Sequence, residues 1–354
     1  MSRMKILKPT VLTEGMLTAS TALEVAPAVY DPANVYAAGA VASISGVAGL
    51  VDVYESLQGG NVGHAPTALG AWWRWLCSVY QAYSTAATYA ADDRVQDNAA
   101  HLVYQSVLGG TNLPLNDTTQ WQLVGATNKW AAFDSTIGTA TESATPLVMT
   151  MLAGPASGIG FVELNGQELH VVCKTAAGGT VIYDRIVNLD ATPIESVFDW
   201  FFAEREQLGD VVLSDLPAQY IGMEITVTVR ATSGKVGVGV CKPGKVSYVG
   251  ITQQGASVGI LDFSKKTRND FGGVTLEEGA FSKRASYQVF IDHFSFNRIY
   301  RFLASLRGTP CFYVGTEAAG YEPFIGYGFY RDFSIAVPYA DYHMCSLETE
   351  GLDQ

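Results

Sequence analysis

The chain has 354 residues, 48% of them apolar and only 16% charged, which excludes a disordered polymer and leaves room for two or three domains with real cores. Its formal charge is −12 and its 22 basic residues are scattered, so no basic stripe exists to neutralise a phosphate backbone, and nucleic acid is excluded as an expected ligand. Gly 36, Tyr 18 and Phe 16 favour strands and turns, and a mainly β protein is expected.

Residues 1–28 carry Pro9, several threonines and no helical or strand period, and read as an extended N-terminal arm. Such an arm is either disordered or packed across a neighbouring subunit through Ile6, Leu7, Val11, Leu12 and Leu17.

Two related stretches follow, at 29–83 and 84–129. The first runs Tyr30, Tyr36, Gly39, Val41, Tyr54, Ser56, Gly59-Gly60-Asn61, Pro66 and Trp72-Trp73; the second runs Tyr83, Tyr89, Val95, Tyr104, Ser106, Gly109-Gly110, Pro114 and Trp121. The shift between them is about 50 residues, a period belonging to one supersecondary unit per repeat. In each copy the two leading tyrosines are six residues apart. Val51–Tyr54 and Leu102–Tyr104 have strand chemistry, and the glycine pairs supply tight reversals. A unit this small buries little surface alone, so its aromatic residues must supply its core. The apolar set from Ala68 to Tyr83 fits a helical stripe or a strand, and its rings make either a packed connector or a sugar-stacking platform.

The order Tyr, Tyr-x-x-Gly-x-Val, Tyr, Gly-Asn, Pro, Trp resembles the small chitin-binding-type carbohydrate modules of bacterial chitinases. Tyr36-Ala-Ala-Gly39-Ala-Val41 fits best; in the second copy Asp92-Asp93 replaces the glycine step with one residue inserted, and Tyr30 and Tyr83 stand where those modules begin with tryptophan. The segment from Trp121 to Asp134 resembles tailed-bacteriophage virion proteins, in which such a repeat leads into a larger β domain. The resemblance covers about the first third of the chain. It implies a structural, tail-associated virion protein, present in several copies and assembled in the host cytoplasm. Its expected partners are other virion proteins, further copies of itself and host surface glycan. A glycan-binding receptor-recognition module is the alternative. Expected glycan or partner contacts are Tyr36, Tyr54, Trp72, Trp73, Tyr89, Tyr104, Trp121 and Trp130.

Residues 130–245 alternate between short apolar segments and turns, with Asn165-Gly166 and Gly178-Gly179 expected as hairpin turns, and predict a β-sandwich or jelly-roll domain. Phe198, Trp200, Phe201 and Phe202 either begin a short helix or fill that core. Residues 246–354 form a C-terminal β-rich domain with one helix at 296–307: Ser295 can cap it, Ile299, Phe302, Leu303 and Leu306 make one face, and Gly308 and Pro310 end it. Two small tandem β modules, a sandwich-like region and one short C-terminal helix are the expected fold.

Catalytic and metal signatures are weak. Gly255-Ala-Ser257-Val-Gly259 has the glycines of a nucleophile elbow but is followed by strand residues where a helix is needed. The five histidines show no HExxH and no close pairing, and Cys77, Cys173, Cys241, Cys311 and Cys345 form no CxxC. No enzyme activity, metal or cofactor is expected, and the unpaired cysteines fit a reducing compartment. No apolar run marks a secretion signal or a membrane span, so membrane insertion is not expected.

Overall fold

A computed structural model describes residues 3–66, 70–268, 273–318, 320–337 and 341–353. The protein is mainly β, with a short helix at Val197–Phe202 (α1) and a longer one at Phe296–Ser305 (α2).

The two repeats make one six-stranded sheet. Val41–Ser45, Leu50–Ser56 and Trp73–Ala82 pair antiparallel in the first copy, and Arg94–Asp97, Leu102–Ser106 and Trp121–Ala126 do so in the second. The copies join where Trp73–Ala82 runs parallel to Arg94–Asp97, through Gln81↔Val95 and Ala82↔Gln96. The Ala68 to Tyr83 stretch is therefore a strand from Trp73 onward, while residues 67–69 lie outside the described residues.

Next to this sheet stands a sandwich. Its five-stranded layer has the order Val181–Asn188, Glu168–Lys174, Glu224–Arg230, Leu147–Leu152 and Leu17–Ser20. Strict alternation turns Leu147, Met149 and Met151, Leu169, Val171 and Cys173, and Ile225, Val227 and Val229 inward. They meet Ile159, Phe161, Leu213, Val236 and Val238 of the largest sheet. Asn165-Gly166 is not a hairpin turn as expected, because the strands it joins lie in different sheets; it is a sandwich corner. Gly178-Gly179 does close a hairpin, between Glu168–Lys174 and Val181–Asn188.

The largest sheet closes partly on itself. Lys235–Thr252, Arg3–Pro9, Cys311–Val314, Ile325–Ala336, Tyr342–Asp353 and Phe281–Asp292 pair in that order, all antiparallel. Phe281–Asp292 then pairs back onto Lys235–Thr252 at Ile251↔Phe290 and Thr252↔Val289, giving a six-stranded barrel without free edges along this circuit. Its interior holds Met4, Ile6, Val249, Tyr287, Val289, Tyr313, Cys345 and Leu347, and Ile299, Leu303 and Leu306 of α2 pack into the same core. Gly308, at φ +66, lets the chain leave α2 through a left-handed turn.

Two expectations are corrected. The expected arm over residues 1–28 is, from Arg3 onward, not reserved for a neighbour: Arg3–Pro9 is an interior strand of the barrel, with Met4, Ile6 and Leu7 buried in their own chain. Leu17 is buried too, whereas Val11 is exposed. A boundary at 245/246 also fails, because Lys235–Thr252 runs unbroken through it and serves both sandwich and barrel.

Candidate functional site

The aromatic residues of the two repeats assemble into two triads of nearly the same geometry. In the first copy the ring centroids of Tyr30 and Tyr36 are 5.7 Å apart and stacked at 22°, and Trp73 stands edge-on to them at 5.9 and 5.1 Å. In the second copy Tyr83 and Tyr89 are 6.3 Å apart and stacked at 17°, with Trp121 edge-on at 6.0 and 5.3 Å. Offset stacking and edge-to-face packing are the favoured arrangements of aromatic quadrupoles.

The backbone follows the same plan. The Tyr36 hydroxyl accepts from Asp31 N at 2.8 Å, and the Tyr89 hydroxyl accepts from Ser84 N at 2.8 Å. Gly39 N donates to Ser56 O as Asp92 N donates to Ser106 O, both at 2.8 Å, and Leu57 N to Trp72 O matches Val107 N to Gln120 O. No residue is therefore inserted at Asp92-Asp93, contrary to the expectation. Asp92 takes the place of Gly39 directly, at φ +69 against +80, and short polar aspartate is among the side chains that tolerate this conformation.

The copies differ in how their polar atoms are satisfied. Trp121 Nε1 and the Tyr83 hydroxyl both donate to Leu113 O, at 3.3 and 2.6 Å. Trp73 Nε1 donates to His64 O at 2.7 Å, but the Tyr30 hydroxyl is buried with no partner among the described residues, and so is Asn61 Oδ1. Burial pushes the Tyr30 phenol up, and Tyr36 and Asp31 nearby add to the shift.

These placements divide the expected contact residues. Trp73, Tyr89 and Trp121 are core, and Trp130 sits in the sandwich core beside Phe133, so four of the eight are closed to an outside ligand. For the three in the repeats the physical reason is that a unit of this size has few large side chains with which to exclude water, so its rings are needed for the core; Trp130 fills the sandwich core instead. Tyr36, Tyr54, Trp72 and Tyr104 are half-buried and retain some surface. Of these, Tyr36 is stacked within its own triad, and Trp72 stacks on exposed His64 at 4.1 Å and 11°.

Other polar groups are brought together from far apart in the chain. Lys5 Nζ donates to Ser214 Oγ at 2.7 Å and pairs with Glu317 at 2.5 Å, and the Ser214 hydroxyl donates to Glu317. The cleft around them, about 360 Å³, is also lined by Arg185, Asp210 and Asp215. The lysine is committed to a carboxylate, which makes the network an ion-pair clamp between barrel and sandwich. Glu24 accepts from Thr127 Oγ1 at 2.8 Å and pairs with His101 at 2.6 Å, tying residues before the repeats to the end of the second copy. His293 and His343 approach within 3.3 Å, a pairing invisible in the sequence. Among the described residues no group of three or more metal-ligating side chains forms. Ser257 opens an exposed strand and is followed by no helix, so the elbow geometry is absent there.

No family model matches the chain, and no curated protein is significantly similar to it.

The sequence left two places open for the rings of α1, and the structure decides between them. Phe198, Trp200, Phe201 and Phe202 form the short helix but do not fill the sandwich core; they stand 68–71% exposed. The sign was local: Asp199 lies among the rings and Glu195, Glu204 and Glu206 flank them, and these acids resist burial with them.

Proposed function

We propose that this chain is a structural component of a tailed-phage virion, in the tail or its distal fibre-attachment apparatus, working by docking to neighbouring proteins. The duplicated unit and the Trp121 to Asp134 segment, with their resemblance to phage virion proteins, motivate the reading. The observation that carries it is the fate of the aromatic rings: the two triads are spent on holding the repeats together, while the exposed aromatic cluster of Phe198, Trp200, Phe201 and Phe202 lies on α1, outside the repeats. Mass spectrometry of purified particles tests the assignment. The chain is expected in stoichiometric amounts, and its absence from particles would reject the reading.

A second reading, contact with host surface glycan, is favoured by one feature, the His64–Trp72 stack on the first repeat. It predicts retention on chitin or host polysaccharide that Trp72→Ala abolishes with the fold intact. Equal retention of wild type and variant would dismiss it.

A further inference from the structure

Between Asp190 and Gln207 the chain leaves the edge strand Val181–Asn188, builds α1 and returns. The excursion is closed at its base by the Asp190↔Gln207 bridge and by hydrogen bonds from Ala191 N to Glu206 O and Leu208 N to Leu189 O, both 2.9 Å. Within it, Ser196 caps α1 by accepting from Asp199 N at 3.1 Å, and Ser196 Oγ donates back to Asp199 at 2.8 Å. This is a built element, yet its apolar side chains have little of their own chain to cover them: Val197 is 77% exposed and Ile194 51%.

At about 200 Å² per aromatic side chain the four rings present roughly 550 Å². Ile194 and Val197 extend the patch beyond the ~300–600 Å² of the largest patch on a typical monomer and toward the ~800 Å² that each partner contributes to a stable interface.

Charge selects the occupant. Residues 190–207 hold five acids, Asp190, Glu195, Asp199, Glu204 and Glu206, against Arg205 alone. Two α1 elements facing each other would set acid against acid, and an anionic membrane would repel the loop. On the barrel, α2 has the complementary character. It contains no acidic residue, and its exposed face carries Arg298, Arg301 and, just beyond its end, Arg307, none of them in an ion pair among the described residues. Exposed Phe294 and Tyr300 lie beside those arginines and supply apolar area. The two surfaces belong to different cores: α2 packs into the barrel, and α1 stands on a loop at the rim of the sandwich.

The geometry points to a head-to-tail contact in which α1 of one copy docks on the Phe294, Arg298, Tyr300 and Arg301 face of α2 in a second copy. Such an interface is heterologous, so it propagates into a ring or a filament and does not stop at a two-fold dimer. It rests on the reading of a multi-copy assembly protein and adds the surface and its polarity.

The test uses the purified full chain and light scattering coupled to size exclusion. Wild type is expected to exceed monomer mass. Trp200→Asp with Phe201→Asp, and separately Arg298→Glu with Arg301→Glu, are expected to leave monomers; all four positions are exposed, so the fold is kept, which circular dichroism checks. Mixing the two variants is expected to restore a dimer, because one supplies an intact α2 face and the other an intact α1. A wild-type monomer at every concentration, assembly indifferent to either variant pair, or failure of the mixture to recombine would each overturn the proposal. Wild-type monomers that bind phosphatidylcholine vesicles through the same rings would also overturn it, in favour of a lipid surface. None of these outcomes bears on whether the chain is found in particles, so the two readings fail separately.

Discussion

Replacing Trp121 or Trp73 tests the duplication energetically. Each indole is 2% exposed and makes two edge-to-face contacts with its tyrosine pair. Truncation to alanine is expected to cost about 3–5 kcal/mol for the lost transfer and the cavity. Both copies should suffer similarly. Replacement by phenylalanine separates them, since it keeps a ring and deletes the indole N–H. In the second copy Leu113 O retains the Tyr83 hydroxyl at 2.6 Å, and the bond it loses was long at 3.3 Å. In the first copy His64 O loses a 2.7 Å bond, and the Tyr30 hydroxyl makes no bond to replace it. One net hydrogen bond contributes about 0.5–1.5 kcal/mol, so Trp73→Phe should be costlier than Trp121→Phe by roughly 1 kcal/mol. Urea unfolding, with hydrogen exchange in the strands Leu50–Ser56 and Leu102–Ser106, measures both. A loss below about 1 kcal/mol for Trp121→Ala would refute the view that the triad is the core of its repeat. So would the reverse order of the two phenylalanine variants.

Three further predictions concern the scaffold. Gly49 has φ +78, and a Cβ there would lie 2.0 Å from Arg94 O at the junction of the repeats; Gly39 has φ +80, and its nearest atom would be Glu55 Oε1 at 3.9 Å. Gly39→Ala should therefore cost only the left-handed backbone, ~1–2 kcal/mol, and Gly49→Ala distinctly more, with faster exchange of Gln81 N–H; equal losses would contradict the junction geometry. Burial pushes the thiols of Cys77 and Cys345 up to about 11 and those of Cys173, Cys241 and Cys311 to about 12. All five should resist a disulfide reagent near neutral pH until the protein is denatured, and a native thiol that reacts quickly would show an opening absent here. Asp262 is held down to about 2 by hydrogen bonds from the Ser264 hydroxyl and backbone N–H and by Lys266. Because its folded value is depressed, its contribution to stability is present above the ordinary carboxylate range near ~4 and lost as pH falls toward about 2. Carbon NMR of the carboxyl should place its midpoint near the lower figure and move it up in Ser264→Ala, and a midpoint near the ordinary value would disprove the bonding pattern.

The amino-acid order alone carried the mainly β character, the strands around Val51–Tyr54 and Leu102–Tyr104, the hairpin at Gly178-Gly179, the helix after Ser295 and the pairing of Tyr36 with Tyr89. All of these depend on local periodicity, turn chemistry or spacing, which act over a few residues and stay visible in one dimension. The structure decided what depends on partners distant along the chain. Arg3–Pro9 looked like a free arm because the strands that enclose it lie more than two hundred residues away. Lys235–Thr252 looked like the end of one domain because nothing local records that it serves two cores. Which aromatic residues faced inward was only partly written in the sequence, in the small size of the repeats and in the acids around the α1 rings. Trp121 is spent on a core and Trp200 is left bare, and the difference lies in whether the surrounding backbone folds over the ring or carries it outward on a charged loop.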